Sequence, residues 1–257
     1  MSLDSMKEIF EHMEQEGKPF WEIVLEADMD DRQVSRNQSM AKMLLTWQAM
    51  SGGYVSEVIA EALSMAESNA CMCRIVAAPT AGACGVLPAV LLPLCKYEEI
   101  SQHQLLEALY VASGIGAIIA RRACIAGASG GCQAEIGTAS AMAAGALVAL
   151  RGGTGQQIGH AVAMALKNLM GLVCDPVAGL VEVPCVKRNV IGAVNAVSVA
   201  DMAMAGITSR IPVDEVIDAM GEVGRRMPVE FRETALGGLA VTPTGKAINE
   251  KMRQSRG

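Results

Sequence analysis

Three cysteines, Cys132, Cys174 and Cys185, stand in stretches that turn the backbone, within the strings GASGGC, CDPVAG and VEVPC. In each, glycine or proline interrupts otherwise apolar sequence, which is typical of loops. Cys132 and Cys185 directly precede long alanine-rich segments of helical character, and the start of a helix favours a thiolate, the form of cysteine that binds metals. Three converging thiolates would leave a metal or iron–sulfur cluster one ligand short, and that open position could polarise a substrate. The pattern therefore favours an enzyme.

Neighbouring residues would suit a bulky inorganic group. Gly130 and Gly131 would let the backbone approach it closely, and Pro184 would stiffen the turn before the third cysteine. Lys187 and Arg188 lie just beyond, where positive charge could offset an anionic cluster or hold a substrate carboxylate. The alternative is that both lie on a solvated helix face.

The elements that must position these loops are helices. The amphipathic residues 1 to about 50 end in SRNQSMAKMLLTWQAMSGG, which predicts a helix ending at Gly52-Gly53. Residues 54–73 keep helical spacing, and the loop RIVAAPTAGACGVLP follows. Thr154 and Gln157 have the spacing of a capping box, and Pro212 suits the first turn of another helix. Because no run of alternating β-branched residues appears, we predict an all-α fold, a compact bundle of buried helices rich in Ala and Gly.

Composition agrees with a tightly packed soluble protein. The 257 residues fit one domain, in which a helical segment 1–53 packs on a core 54–257. Hydrophobic residues make up 51% and aromatic residues 3%, so small and aliphatic side chains must fill the core. The uncharged runs 79–95, 111–120 and 136–150 are shorter or more broken than the roughly 20 apolar residues of a membrane span. They predict buried helices and no membrane association.

Charge and cysteine content exclude other classes. The net charge of −6 and the lack of a basic run argue against a nucleic-acid partner, so small molecules are expected. The polar N-terminus lacks the apolar core of a signal peptide, which indicates a cytoplasmic protein. The eight cysteines are then expected to be free thiols or metal ligands, and their spacing matches no zinc pattern.

The order of the motifs and their residues resemble those of a known family. The strings are SNACMCRIVAAPTAGACGVLPAVL, GASGGCQAEIGTASAMAAGALV and DPVAGLVEVPCVKRNVIGAVNAVSVADMAMAG, which span residues 68–206. They resemble the α chain of the iron–sulfur-dependent L-serine dehydratases of bacteria. Such long ordered strings are specific, and the flanking regions also fit.

The resemblance implies a [4Fe-4S] cluster held by Cys132, Cys174 and Cys185, with the fourth iron free of thiolate. It also assigns substrate binding to four residues in segments that line the family's active site, namely Asn69, Arg74, Thr80 and Gly82. Helix capping or turn chemistry is the alternative for Asn69 and Thr80, and Arg74 could equally be a surface charge. The five cysteines outside the ligand set are expected to be small buried hydrophobes or helical residues: Cys71, Cys73, Cys84, Cys95 and Cys124.

The implied reaction is the dehydration and deamination of L-serine to pyruvate and ammonia, a lyase reaction of serine catabolism and gluconeogenesis. The cluster iron would act as Lewis acid on the serine hydroxyl. No α-proton base is identified among His12, His103 and His160, and only proximity to Cys132 recommends Glu135. Single-chain relatives carry a second domain with a Ser-rich loop ending in His-Thr, which this chain lacks. We therefore expect a separate β chain, in a hetero-oligomer or with a homodimer of this chain, and little activity from this chain alone.

Two alternatives stay open. The Gly-rich AAPTAGACG could cradle the phosphate of pyridoxal phosphate, but such a dehydratase would need a Schiff-base lysine and an α/β pattern. The chain could also be a non-enzymatic helical scaffold whose Ala/Gly helices are packing surfaces only.

Overall fold

The computed structural model describes residues 50–254. Throughout this range the regular elements are helices, and the only β-type contact among these residues is an isolated parallel bridge between Cys174 and Arg232. The all-α prediction is confirmed, and the α/β pattern that a pyridoxal-phosphate enzyme would need is not found between residues 50 and 254. The predicted N-terminal helix, and the packing of residues 1–53 on the core, fall almost wholly outside the described residues.

The described residues form nine α-helices and four short 3₁₀ turns. The helices are α1 (Gly52–Ala70), α2 (Val86–Tyr97), α3 (Gln102–Arg122), α4 (Gly127–Gly130), α5 (Cys132–Leu150), α6 (Gly155–Leu169), α7 (Cys185–Met204), α8 (Val213–Arg226) and α9 (Pro243–Gln254). The 3₁₀ turns are Ala81–Ala83, Val177–Gly179, Val229–Phe231 and Gly238–Val241.

Helix α5 is the centre of the fold. Every residue from Cys132 to Val148 is buried except Glu135, and α3, α6 and α7 pack around the helix. Small residues let the neighbouring backbones come close: a Cβ placed on Gly145 would lie 2.2 Å from Cδ1 of Ile115 in α3. The core is therefore the closely packed, ring-poor interior that the composition predicts.

Polar side chains also join three of these helices. Asn195 of α7 donates from Nδ2 to Oγ of Ser140 in α5 at 2.9 Å and to the carbonyl of Ala165 in α6 at 3.2 Å. The Ser140 hydroxyl in turn donates to the carbonyl of Gly192 at 2.7 Å. Because buried polar groups are costly when unpaired, this network fixes how α5, α6 and α7 pack together.

Helix α3 differs from the prediction that the run 111–120 is buried. Its inner face is buried through residues such as Ala112 and Ile119, but Ile118 is 52% exposed and Tyr110 is 48% exposed. Lack of charge was the basis of the prediction, and it does not distinguish an inner from an outer face. Among the described helices, α3 alone is long and apolar enough to cross a membrane by length and composition, a test that core helices of soluble proteins also pass.

Two predicted boundaries shift and two are confirmed. Gly52 does not end a helix but opens α1 after a turn, and its φ of 74° explains the glycine. Helix α2 begins at Val86, so Pro88 lies in its first turn, where no intrahelical N–H bond is lost. Thr154 and Gln157 form the predicted capping box at the start of α6, and Pro212 directly precedes α8.

Candidate functional site

The three cysteines singled out in the sequence lie together and are buried. Cys132 and Cys185 are the first residues of α5 and α7, which pack on each other, and Cys132 is close enough to raise the pKa of Cys185. Cys174 lies in the loop before α7, and its thiol donates to the sulfur of Cys132. The three loops therefore bring their thiols to one place, as expected, while their role as ligands stays a prediction.

A segment near the C-terminus completes one side of the site. Cys174 donates its backbone N–H to the carbonyl of Phe231 at 2.8 Å, and Glu233 donates its N–H to the carbonyl of Cys174 at 2.9 Å. This is the parallel bridge at Arg232, and it holds residues 229–241, here called the closing segment, against the second cysteine. Glu233 has a φ of 62°, a left-handed conformation that is uncommon for a side chain of this size. No motif in the sequence points to this segment as part of the site.

Arg188 is the buried cation of the site, whereas Lys187 is exposed. Nη1 of Arg188 lies 3.3 Å from Sγ of Cys132 and 2.7 Å from the carbonyl oxygen of Val173, and Nη2 lies 2.8 Å from Oδ1 of Asp175. Burial by itself would lower the pKa of Arg188, because it disfavours the charged guanidinium. The neighbouring Cys132 and Asp175 outweigh this effect and raise the pKa of Arg188 above its ordinary value. Of the two alternatives for this pair, Arg188 lies against the cysteine site and Lys187 lies on an exposed helix face.

Asp175 extends this network to the closing segment. Its Oδ2 accepts the backbone N–H of Leu239 at 2.8 Å, and the side chain is only 5% exposed. A Cβ on Gly238 would lie 2.4 Å from that same oxygen, so the turn admits only glycine there, with its φ of 59°. Asp175 stands next to Cys174 in the loop string CDPVAG, and a lone carboxylate beside a candidate ligand is a signal that could have identified it.

The three thiols differ in the ease with which they ionise. The hydrogen bond from Cys174 lowers the pKa of Cys132, and the charge of Arg188 adds to this against the opposing effect of burial. The same hydrogen bond raises the pKa of Cys174, which burial raises further. Burial and the neighbouring Cys132 raise the pKa of Cys185 to about 12. Of the three thiols, Cys132 is thus the one whose pKa is lowered.

The glycine that faces the cysteines is Gly127, not the pair expected from the sequence. A Cβ on Gly127 would lie 3.1 Å from Sγ of Cys174. At Gly131 it would instead meet Sδ of Met227 at 2.6 Å, and Gly131 has a φ of 75°. A Cβ on Gly130 would likewise meet protein atoms, Sγ of Cys124 at 2.4 Å, so at both glycines a side chain would clash with a neighbouring chain segment.

Two of the four predicted substrate-binding residues lie against Glu135 of α5. The Thr80 hydroxyl donates to Oε1 of Glu135, and a Cβ on Gly82 would lie 2.6 Å from the same oxygen. Burial raises the pKa of Glu135, the bond from Thr80 opposes this, and the carboxylate of Glu233 adds to it. Asn69 is half-buried in the last turn of α1, and Arg74 is exposed in the following loop.

Asn189, which the sequence analysis did not single out, joins this loop to the third cysteine. Its Nδ2 donates to the carbonyls of Gly82 at 2.8 Å and Cys185 at 3.0 Å, and its Oδ1 accepts the N–H of Gly85 at 2.9 Å. A buried asparagine that uses both ends of its amide in this way fixes the distance between the two loops.

The remaining cysteines have other surroundings. Cys84 is buried and donates to the carbonyl of Met65 at 3.6 Å, and burial raises its pKa to about 12. Cys95 donates to the carbonyl one helical turn earlier in α2, at 3.4 Å. Sγ of Cys124 lies 2.4 Å from the position that a Cβ on Gly130 would take.

The donor set at the site fits an iron–sulfur cluster. It offers three thiols from three loops, one of them with a lowered pKa, beside a buried guanidinium, and thiolates are the usual ligands of such clusters. Among residues 50–254, no three His, Cys, Asp or Glu side chains are arranged to hold a single metal ion. A cluster is wider than a single ion, so its ligands stand farther apart. Three separate loops can provide ligands with such a spacing.

Comparison with known proteins identifies one family. The model of the serine dehydratase alpha chain family matches residues 2–240. A probable L-serine dehydratase alpha chain of Latilactobacillus sakei is 56% identical over 192 residues, which cover 75% of this chain and 92% of that protein. The corresponding protein of Bacillus subtilis (strain 168) is 52% identical over 204 residues, which cover 79% and 68%. L-serine dehydratase 2 of Escherichia coli (strain K12) is 46% identical over 182 residues, which cover 70% of this chain but 40% of that longer protein.

Proposed function

The chain belongs to the serine dehydratase alpha chain family, and on that premise we propose that it carries the site that converts L-serine to pyruvate and ammonia. The observation that carries the proposal is the meeting of Cys132, Cys174 and Cys185 beside the buried cation Arg188. A helical scaffold has no need to gather three thiols with a charged partner in its interior, because burying such groups is costly.

The cofactor in this proposal is a [4Fe-4S] cluster held by the same three cysteines. When bound, the cluster would supply a Lewis acid that assists departure of the serine hydroxyl. Arg188 would balance the negative charge of the thiolates, since its guanidinium already contacts the sulfur of Cys132. Gly127 would leave room beside Cys174, where a larger residue would not fit.

The substrate would lie between the cysteines and the loop that holds Thr80 and Gly82. Both residues contact Glu135, so this loop and the start of α5 form one wall of the site. Asn69 and Arg74, which flank the loop at the end of α1, would contribute from its edge. These four assignments rest on the family resemblance together with the placement of Thr80 and Gly82.

The working enzyme in this proposal contains a second chain. The matched Escherichia coli protein is more than twice as long as its matched region, whereas the Latilactobacillus sakei alpha chain is covered almost completely. We therefore infer a separate β chain, a hetero-oligomeric cytoplasmic enzyme of serine catabolism and gluconeogenesis, and a single domain over 1–257 for this chain. Neither nucleic acid nor membrane has a part in the proposal.

The test is anaerobic co-purification with the β chain, followed by pyruvate assays with L-serine. Cys132→Ala, Cys174→Ala and Cys185→Ala are each expected to lose the broad visible absorption that dithionite bleaches, and to lose activity with it. The matched control is Cys95→Ala, a half-buried helical cysteine that should retain both properties. Wild-type absorption and turnover in any of the first three variants would contradict the ligand assignment. Comparable turnover by this chain without its partner would contradict the αβ proposal.

A further inference from the structure

Two carboxylates from different segments of the chain border the cysteine site. Glu135 lies in the first turn of α5, and Glu233 lies on the closing segment. A Cβ on Gly127 would lie 3.5 Å from Oε2 of Glu135, 3.4 Å from Oε2 of Glu233 and 3.1 Å from Sγ of Cys174. The two carboxylates and a thiol therefore face the same small space.

No cation neutralises this pair within the described residues. The ion pairs found between residues 50 and 254 include neither Glu135 nor Glu233. The nearby guanidinium of Arg188 is already engaged by Asp175, Val173 and Cys132. Two carboxylates held close together destabilise each other, and a positive group placed between them would remove that cost.

The Thr80 hydroxyl fixes the direction of one of these carboxylates. It donates to Oε1 of Glu135, which leaves Oε2 as the oxygen that faces Gly127. Gly82 leaves no room for a side chain on that flank, so the carboxylate is held between the loop and the cysteines. Such a fixed anion suits recognition of a small cation that donates hydrogen bonds.

We propose that Glu135, with Glu233 beside it, binds the ammonium group of the amino-acid substrate. The inference rests on the proposed function, in which the hydroxyl of L-serine is directed to the cluster and the ammonium group is left to be recognised by the protein. Glu135 is then a specificity-determining residue, which distinguishes a 2-amino-3-hydroxy acid from a 3-hydroxy acid without the amino group.

The experiment measures ligand binding rather than turnover. The reconstituted αβ protein is titrated anaerobically with L-serine and with 3-hydroxypropanoate, and the change in the visible or electron paramagnetic resonance spectrum of the cluster reports binding. Glu135→Gln keeps the size of the side chain and its bond from Thr80 but removes the charge. It should weaken binding of L-serine about 10- to 100-fold, the range of a charge-assisted hydrogen bond, and leave 3-hydroxypropanoate within about twofold of wild type.

Two further variants sharpen the result. Glu233→Gln should weaken L-serine in the same ligand-selective way but less, because Glu233 is the more exposed of the two. Glu230→Gln removes an exposed carboxylate from the same segment and should change neither affinity.

Several outcomes would overturn the proposal. Equal weakening of both ligands by Glu135→Gln would indicate a structural role, and unchanged binding of L-serine would show that Glu135 does not bind the ammonium group. If the wild-type cluster responds to 3-hydroxypropanoate and L-serine equally well, the amino group is not recognised. If the wild-type cluster responds to neither ligand, the proposed function itself fails and this inference fails with it.

Discussion

Arg188 donates from Nη1 to Sγ of Cys132 at 3.3 Å, so a guanidinium from α7 reaches the first residue of α5. The same side chain holds Val173 and Asp175, which flank Cys174. One buried cation thus ties together the loops that carry two of the three thiols. Removing this cation should therefore destabilise the chain even when no metal is bound.

We expect Arg188→Met to lower the free energy of unfolding of the metal-free chain by about 3–5 kcal/mol, the usual cost of breaking a buried ion pair from one side. Asp175, which is 4% exposed, would keep its charge without its partner. Urea denaturation followed by circular dichroism measures the change. The control is Arg226→Met, which breaks the exposed pair with Glu222 and should cost at most about 1 kcal/mol. Equal losses in the two variants would show that the buried Arg188 contributes no more to the free energy of unfolding than the exposed Arg226 does.

Asn189→Asp tests the link between the third cysteine and the Thr80 loop. The aspartate keeps the acceptor for the N–H of Gly85 but cannot donate to the carbonyls of Gly82 and Cys185. We expect a loss of about 1–3 kcal/mol for each carbonyl left unpaired, measured by urea denaturation. Asn168→Asp, at an exposed site with one donated bond to Asn195, should cost much less. A variant as stable as wild type would mean that this amide does not hold the two loops together.

A pair of glycine variants tests how closely α3 and α5 pack. Gly145→Ala would place a methyl group 2.2 Å from Cδ1 of Ile115, and overpacking of this kind costs about 1–3 kcal/mol. Gly114→Ala, at an exposed position of α3 with nothing within 4 Å of the new Cβ, should instead stabilise by about 0.5–1 kcal/mol. Thermal unfolding should therefore shift in opposite directions, and a shift in the same direction would refute the packing argument.

The ion pair between α3 and α8 predicts a pH dependence of stability. Arg122 donates to both carboxylate oxygens of Asp218, at 3.1 and 2.7 Å, and this hydrogen bonding lowers the pKa of Asp218. Because the folded pKa lies below the unfolded value of about 3.9, the contribution is present above that pH and disappears as pH falls through the folded pKa. Wild type should therefore be more stable than Asp218→Asn at pH 7, and the difference should vanish in acid.

High salt provides the control for this pair. Because both side chains are accessible to solvent, added salt should reduce the difference at pH 7. A difference that is independent of pH and salt would assign the effect of Asp218→Asn to packing rather than to charge.

The sequence was sufficient where local chemistry marks an element. Glycine and proline identified the loops before Cys132 and Cys185, and the Thr154–Gln157 spacing identified the start of α6. The all-α class followed from the missing strand pattern. In these cases the signal lies within a few residues of the feature that it predicts.

Contacts between distant segments were not readable in this way. The backbone of Cys174 forms hydrogen bonds with Phe231 and Glu233, and no local pattern near residue 230 predicts them. Glu135 looked like a neighbour of Cys132 only, because its contact with Thr80 joins positions 55 residues apart. The outer face of α3 was missed for another reason, since a run without charge does not show which of its apolar residues, such as Ile118, face outward.

The closing segment also sets the order in which the site can be completed. Synthesis runs from the N-terminus, so all three cysteines leave the ribosome before Glu233 and before Leu239, whose N–H holds Asp175. A chain whose synthesis has not reached the closing segment can thus contain all three cysteines but lacks the side of the site next to Cys174. The wall of the site beside Cys174 is therefore made by residues that are synthesised after the segments that carry all three thiols.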